Sequence, residues 1–274
     1  MAVDYGGSDG TESGTVRIAW FAGGIEGLAR VGNALFFFAP LNPGSGNPGG
    51  WQLWRSDGTS SGTILLGQIR TGTIPDRSEI TDANGTAYFS FVDRYAQELW
   101  CSDGSPAGTR LVKSFSRNIN YSDFVGVFHL ASIGSAVYFD GVDRDHQTEL
   151  WRSDGTEAGT YMVADIAPGA DSSAPSNLTV MNGVLYFSAL DDSHGVELWR
   201  SDGTAAGTKM VADINPYSRS EPAFLTPVNG ELYFSADDGF HGRELWHSDG
   251  TSRGTKLVRD INPSGSSTPQ NLIP

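Results

Sequence analysis

Short hydrophobic runs alternate with turn-forming residues along most of the chain. Residues 177–213 show this most clearly, with apolar runs at 178–181, 184–189, 197–200 and 209–214. Aromatic and β-branched residues, which favour strands, dominate these runs, and Asn-Gly, Asp-Asp-Ser-His-Gly and Ser-Asp-Gly-Thr sequences separate them. No connecting segment leaves room for a helix. The pattern therefore predicts four antiparallel β-strands, which we call A to D.

Neighbouring positions in runs B and C are both apolar, as in Tyr186-Phe187 and Leu198-Trp199. A strand with one face in water would alternate apolar and polar residues instead. We therefore expect both faces of each sheet to be covered by other parts of the protein.

The four-strand unit recurs along the chain. Five copies of Leu-Trp each precede a Ser-Asp-Gly tripeptide, and the successive aspartates of that tripeptide are 48, 46, 51, 48 and 47 residues apart. A period of this size, four antiparallel strands per unit and sheets covered on both sides are typical of a β-propeller blade. The aspartates are Asp9, Asp57, Asp103, Asp154, Asp202 and Asp249.

The repeats predict one all-β domain over residues 1–274, a β-propeller of four-stranded antiparallel blades. Six blades are favoured, with a composite terminal blade built from segments 1–20 and 270–274, because shared terminal strands close a ring and remove exposed edges. Five blades with terminal extensions, or pairing of the terminal segments between neighbouring molecules, are the alternatives. The complete repeat units cover about 25–69, 78–115, 123–166, 176–214 and 223–261.

Composition narrows the possible partners. The chain has 18 Lys and Arg against 32 Asp and Glu, a formal net charge of −14, which argues against nucleic acid and anionic membranes. A single cysteine, Cys101, excludes an intramolecular disulfide. No apolar stretch has the length of a membrane span, so membrane insertion is not expected, and the first residues lack the pattern of a signal peptide. We therefore expect that the protein is either not exported or that this sequence begins after a removed signal peptide.

The segment Glu-Leu-Trp-Arg-Ser-Asp-Gly-Thr-x-x-Gly-Thr resembles the ELWxxDGTxxGT repeats of bacterial secreted and surface proteins of the hyalin type. The resemblance covers nearly the whole chain, with departures at Gln52 in the Glu slot and Cys101 in the Arg slot. It implies a propeller-like repeat scaffold that is secreted or on the cell surface. It implies no uniform activity.

The aspartate of each Ser-Asp-Gly falls in the predicted C–D turn. Aspartate in a turn accepts backbone N–H bonds, glycine supplies a positive φ, and threonine adds hydroxyl bonds. The hairpin also resembles the Asp-box hairpin of sialidase blades, which implies a structural role for the aspartate. We interpret as structural turn residues Asp57, Asp103, Asp154, Asp202 and Asp249.

The B–C and D–A connections of a four-stranded blade emerge at one edge of the sheet, and binding residues often lie on such irregular loops. Three predicted B–C loops combine carboxylates with an imidazole. Trp51, which follows a polar insert and belongs to no repeated slot, is added as an exposed aromatic contact. The candidate ligand-binding residues of the loops are Asp143, Asp145, His146, Asp191, Asp192, His194, Asp237, Asp238 and His241.

No cofactor is required by these motifs. Oxygen-rich loops could hold Ca²⁺, and His with Asp could hold a transition metal, but the spacing matches no established metal motif. The simpler interpretation is solvated turns capped by aspartate. The run C arginines, Arg152 and Arg200 among them, are expected to pair with acids such as Glu149 or Glu197.

The sequence contains no G-x-S-x-G elbow, phosphate loop or HExxH zinc motif, so no enzyme activity is predicted. We expect a non-enzymatic extracellular binding or adhesion module that recognises glycan or protein through its loop-rich edge. A self-assembling structural protein, a homo-oligomer joined through its offset termini, is the alternative. A propeller-type hydrolase with an acid pair is the least favoured function.

Overall fold

A computed structural model of the chain describes residues 2–7, 16–41, 50–69, 80–92, 96–116, 130–143, 145–169 and 172–273. Every regular element over these residues is a β-strand, as the hydrophobic pattern predicts. None of them forms a helix with the length and apolar character needed to cross a membrane. The first Ser-Asp-Gly copy, at 8–10, lies outside the described residues.

The chain divides into two compact units. The first comprises residues 1–136 with 154–157, and the second comprises residues 137–153 with 158–274. The strands of the first unit are β1 Ala2–Gly7, β2 Val16–Ala22, β3 Glu26–Val31, β4 Ala34–Pro40, β5 Trp51–Ser56, β6 Ile64–Ile69, β7 Thr81–Ala83, β8 Thr86–Val92, β9 Ala96–Ser102, β10 Arg110–Ser116 and β11 Ala131–Ile133.

The second unit continues the same succession of strands. Its first strand begins at Ala136, the residue at which the first unit ends. The strands are β12 Ala136–Asp143, β13 Gln147–Ser153, β14 Tyr161–Ala164, β15 Ser176–Met181, β16 Val184–Asp191, β17 Gly195–Ser201, β18 Lys209–Ala212, β19 Ala223–Val228, β20 Glu231–Asp237, β21 Arg243–Ser248 and β22 Lys256–Arg259.

Over the described ranges, the strands form five four-stranded antiparallel sheets and one two-stranded sheet, β1-β2. Each four-stranded sheet is a meander in which neighbours along the chain pair, for example β15-β16-β17-β18. The predicted A to D strands are therefore confirmed, one sheet to each complete repeat. Asn-Gly forms the A–B turn of the fourth sheet, with φ of 53° at Asn182 and 74° at Gly183. Positive φ at both positions is typical of the tight hairpin turn that matches strand twist.

The prediction that both sheet faces are covered is also confirmed. Tyr186 and Phe187, adjacent on β16, are only 3% and 0% exposed although their side chains point to opposite faces. In the second unit the core cluster includes Met181, Tyr186, Leu198, Val211, Ile214, Leu225, Leu232, Phe234, Ala236 and Trp246.

The core of the first unit corrects the expectation for Trp51. This tryptophan is only 4% exposed and packs in a cluster with Phe38, Leu53, Ile69 and Phe91. It pairs with Pro40 on one side and Ile69 on the other, within β5. The expected exposed aromatic contact is therefore wrong, because the residue after the polar insert already belongs to a strand with both faces covered.

Consecutive sheets meet through contacts that recur with the repeat. In the second unit the Thr179 hydroxyl donates to the carbonyl of Leu225, at 3.3 Å, and Thr226 donates in the same way to Leu272, at 3.3 Å. Both carbonyls lie 46 residues beyond their threonine. Leu272 therefore occupies the position that Leu225 has in the preceding repeat.

Tyrosine hydroxyls form a second contact between consecutive sheets. A Cβ placed on Gly250, in the C–D turn of the fifth sheet, would lie 2.1 Å from the Tyr186 hydroxyl. The same geometry joins Tyr138 to Gly203 and Tyr88 to Gly155. At these three positions a side chain is excluded both by the tyrosine of the preceding sheet and by the positive φ of the glycine.

Candidate functional site

The candidate site lies in the second unit, at the edge where B–C and D–A loops emerge. We call it the loop edge. In the described parts of the chain it comprises the B–C loops 143–147, 191–195 and 237–243 and the D–A loops 165–169, 172–175, 213–222 and 260–267.

Each B–C loop is organised by one aspartate. The Asp191 Oδ1 atom accepts the backbone N–H of Ser193 at 2.9 Å and that of His194 at 2.6 Å. Asp143 and Asp238 accept equivalent backbone bonds from the residues two and three positions later. These aspartates therefore cap the turns of their own loops, as the simpler interpretation of the sequence expects.

The same aspartates hold the imidazoles. The distance from Nδ1 of the ring to the nearer-lying Oδ2 is 3.1 Å in Asp143–His146, 2.8 Å in Asp191–His194 and 2.7 Å in Asp238–His241. An ionised carboxylate only accepts hydrogen bonds, so Nδ1 carries the proton in each pair. The histidine side chains stay 35%, 39% and 44% exposed.

Each pair shifts the pKa values of both members. Partial burial works to raise the pKa of Asp191, but hydrogen bonds from the ring and backbone of His194 outweigh it, and the pKa of Asp191 is lowered. The hydrogen bond to Asp191 raises the pKa of His194, and the charges of Asp191 and Asp213 add to this effect. The pKa values are shifted in the same directions in the Asp143–His146 and Asp238–His241 pairs.

The remaining predicted loop residues make fewer contacts. Asp145 and Asp192 are exposed, and Asp237 accepts the backbone N–H of Gly239 at 2.7 Å. The structure thus brings each histidine onto its own aspartate, whereas the additional aspartates do not converge on it. Among the described residues, no group of three or more His, Cys, Asp or Glu side chains is placed to hold a metal ion.

Buried glutamates anchor the D–A loops, which the sequence did not indicate. Glu197 is 0% exposed and accepts the backbone N–H groups of Ile214, at 2.9 Å, and Ser220, at 3.0 Å. The Ser220 hydroxyl donates to the same carboxylate at 2.6 Å. Burial raises the pKa of Glu197, against the lowering effect of these bonds. Glu149 and Glu244 hold their D–A loops in the same way.

The expected pairing of arginines with these glutamates is wrong. Arg200 Nη1 donates to the carbonyl of Gly250 at 3.2 Å, and Arg152 Nη1 donates to the Tyr161 hydroxyl at 2.6 Å. The glutamates turn to the D–A loops instead because buried backbone N–H groups there require acceptors.

Two exposed aromatic rings also lie on the loop edge. Tyr217 belongs to a D–A loop and is 78% exposed, and Phe240 belongs to the next B–C loop and is 72% exposed. Sequence reasoning missed both, because neither occupies a repeated slot and the contact between the loops is not visible in the chain.

The C–D turns lie at the opposite ends of strands C and D. Asp202 Oδ1 accepts the backbone N–H of Thr204 at 3.0 Å and its hydroxyl at 2.7 Å, and Ser201 bonds Thr208 across the hairpin at 2.7 Å. Both hydrogen bonds of this aspartate stay within its own turn. The equivalent residues in the other described turns are Asp57, Asp103, Asp154 and Asp249.

Cys101 offers no reactive thiol. It is 1% exposed on β9, and burial raises the pKa of its thiol, so the thiolate is disfavoured at neutral pH.

No protein-family model and no curated protein matches this chain. Solved structures do match. A prolyl endopeptidase, from work on inter-domain dynamics in catalysis and specificity, has 13% identity and a TM-score of 0.57 over 90% of this chain and 37% of its own. Puromycin hydrolase has 13% identity and a TM-score of 0.51 over 92% of this chain and 42% of its own, and a mutant of it in complex with PGG has a TM-score of 0.53. The chain thus spans well under half the length of these enzymes.

The similarity shows the fold. The sheets of this chain correspond to the β-propeller domains of these peptidases, which agrees with the propeller-like all-β architecture predicted from the repeats.

The comparisons also correct the predicted function. A binding or adhesion module for glycan or protein, with a self-assembling structural protein as the alternative, was expected from the sequence. The solved structures that share the fold are instead hydrolases, and a hydrolase was the least favoured expectation. The prediction was wrong because the repeats and loop residues specify a propeller fold, and the same fold occurs both in binding modules and beside catalytic domains.

Proposed function

We propose that this chain is the non-catalytic β-propeller module of a larger peptidase-type hydrolase, and that its loop edge faces the catalytic part and restricts which substrates reach it. One observation carries the proposal. The similarity covers 90% and 92% of this chain but only 37% and 42% of the prolyl endopeptidase and puromycin hydrolase chains. The shared part is the propeller, and the catalytic chemistry of such enzymes then belongs to the rest of the protein.

The geometry of the loop edge supports a docking role. Glu197 holds one D–A loop at three points, and Asp191 holds the neighbouring B–C loop at two backbone points. Loops ordered in this way lose little conformational entropy when they meet a partner. In the prolyl endopeptidases, inter-domain dynamics has a role in catalysis and specificity. A contact between the loop edge and a catalytic domain could act on specificity in the same way.

The first test is enzymatic. The purified chain alone should hydrolyse neither puromycin nor proline-containing peptides, and an active-site-directed serine-hydrolase probe should leave it unlabelled. Hydrolysis of these substrates that copurifies with the chain, and that is lost when the chain is removed from the preparation, would contradict a non-catalytic role.

The second test concerns the catalytic part. In the hydrolase that contains this propeller, removal of the propeller should change kcat/KM for long peptides more than for dipeptides. The loop-edge variant Asp192→Lys should change kcat/KM for long peptides in the same direction. Glu157→Lys, an exposed carboxylate in a C–D turn, is the matched control and should leave kcat/KM unchanged. Equal effects of the two variants, or no effect of removing the propeller, would reject the proposal.

We further propose six blades, one of them composite, over five blades with extensions. The support is the bond from Thr226 to Leu272, which repeats the bond from Thr179 to Leu225 and favours a further blade contributed to by 270–273. Particle images viewed along the ring axis distinguish the two, since they show either six or five radial densities.

A further inference from the structure

The pair Tyr217 and Phe240 is an exposed aromatic surface on the loop edge, and the proposed function assigns it no ligand of its own. The two ring centroids are 5.6 Å apart and the rings are inclined at 82°, an edge-to-face contact. Both residues are more than 70% exposed, at 78% and 72%. Contiguous exposed apolar patches on soluble proteins often mark interaction sites, whereas single scattered apolar residues do not.

Their loops hold the rings in place. The backbone N–H of Tyr217 donates to Asn215 Oδ1 at 3.3 Å, and that of Phe240 donates to Asp238 Oδ1 at 2.9 Å. A Cβ on Gly239, which has φ of 80°, would lie 2.9 Å from Asn215 Oδ1, so the two loops touch at this point. The rings are therefore presented by ordered backbone, and a ligand that contacts them orders little additional chain.

The local charge favours a cationic ligand. Asp237 and Asp238 stand at the base of the Phe240 loop, and the chain as a whole carries a formal charge of −14. Aromatic faces are themselves negative and attract Lys and Arg. The neighbouring basic side chains are committed elsewhere: His241 is held by Asp238, and Arg243 pairs with Glu221. Arg219 packs towards the preceding loop, where its Cγ would lie 3.0 Å from a Cβ on Gly195.

The chain already contains this type of contact. The guanidinium carbon of Arg152 lies 5.1 Å from the centroid of the Tyr161 ring. Tyr217 and Phe240 offer the same chemistry to a cation from outside the chain.

We propose that Tyr217 and Phe240 form a docking site for an arginine or lysine side chain of a peptide segment. The ring faces contact the cation, and the carboxylates of Asp237 and Asp238 supply long-range attraction. The rings lie on the loop edge that the proposed function turns toward the catalytic part, but the inference requires only the rings and the charge beside them, so the two proposals can fail separately.

The test uses the full chain and blocked pentaglycine peptides whose central residue is replaced by arginine, lysine or citrulline. Citrulline has the shape of arginine without its charge. The arginine and lysine peptides should shift the ring ¹H–¹³C resonances of Tyr217 and Phe240 in saturable titrations, and citrulline should not. Binding of citrulline as tight as that of arginine would overturn a cation site.

Variants assign the binding to the rings. Phe240→Ala and Phe240→Leu should each weaken arginine-peptide binding by on the order of tenfold, because both remove the aromatic face and the second keeps the apolar bulk. Val258→Ala, an exposed apolar residue on β22 of the same sheet, is the control and should bind normally. Unchanged affinity in both Phe240 variants would overturn the proposal, and so would a dimer in sedimentation that Phe240→Ala dissociates.

Discussion

A glycine lies five residues after each turn aspartate, and the carboxylate of that one aspartate explains why the position has no side chain. A Cβ on Gly207 would lie 2.0 Å from Asp202 Oδ1, and the same clash occurs at Gly62, Gly108 and Gly254. Gly207 does not require a positive φ, and the nearest obstacle to a side chain is the carboxylate that caps the turn. The repeated second glycine of the motif is therefore explained by the repeated aspartate.

We expect Gly207→Ala to lower the thermal midpoint by roughly 2–4 °C, because the new methyl group displaces the Asp202 carboxylate from its bonds with Thr204. In the Asp202→Ala background the same substitution should be nearly neutral. Calorimetry of the two single variants and the double variant completes the cycle. Additive losses would show that the carboxylate is not the obstacle.

The three Asp–His pairs predict a pH dependence of stability. The pKa of His194 is raised above its ordinary 6.5, so the stability that the pair contributes is fully present below pH 6.5 and lost as the pH rises through the raised value. The pKa of Asp191 is lowered below 3.8, so its contribution is present above pH 3.8 and lost as the pH falls through the lowered value. The Asp–His pairs therefore stabilise the folded protein most between about pH 3.8 and pH 6.5, where the aspartate is ionised and the histidine is protonated.

Wild-type protein should have a higher thermal midpoint at about pH 5.5 than at about pH 8.5. Replacing all three partners, His146→Gln, His194→Gln and His241→Gln, should reduce this difference, because glutamine does not titrate. The measurement is a thermal midpoint at both pH values in matched ionic strength. An undiminished difference in the triple variant would assign the pH dependence to other groups.

At the scale of elements, the buried glutamate of strand C ties the sheet to its own D–A loop. Glu197→Gln should destabilise the protein by about 1–3 kcal/mol, because the amide nitrogen cannot accept the N–H of Ile214 and leaves a buried donor unpaired. Glu157→Gln, at an exposed carboxylate, is the matched control and should change stability little. Denaturant titration measures both. Equal stability of the two variants would exclude the glutamate as an anchor.

The contact between consecutive sheets makes a separate prediction. Gly250→Ala should cost about 1–3 kcal/mol beyond the strain of its φ, because the methyl group meets the buried Tyr186 hydroxyl. Gly183→Ala, at φ of 74° with no atom within 4 Å of the new Cβ, isolates the strain alone. The Tyr186→Phe background should recover most of the excess loss. Failure of this rescue in a denaturant titration would place the clash elsewhere.

At the scale of the whole molecule, the last residues complete the contact that follows the fifth sheet. Removal of residues 268–274 deletes the carbonyl of Leu272, and we expect faster hydrogen exchange in the β19 amides around Thr226. Strand β15 is an internal control, since Thr179 keeps its partner Leu225. Unchanged protection of β19 would mean that the terminal segment adds nothing to this sheet.

Much of the architecture could be predicted from the sequence. The A to D strands, the Asn-Gly hairpin at 182–183 and the covered faces at Tyr186 and Phe187 follow from local turn chemistry and from the polarity of adjacent residues. The Asp–His combination in the B–C loops could also be predicted from the sequence, because Asp191 and His194 are close enough in the chain to belong to one loop.

The repeating strands and turns follow from the amino-acid sequence alone, since neighbours within a few residues specify both. The folded sheets were needed to show that Glu197 is a buried anchor, that Trp51 belongs to a core, and that Tyr217 meets Phe240. Each of these depends on groups far apart in the chain, on loops or strands that meet only when sheets form and stack. The residue type of a carboxylate or an aromatic ring is the same in water and in a core. Its packing partners in the folded protein determine whether it is exposed or buried.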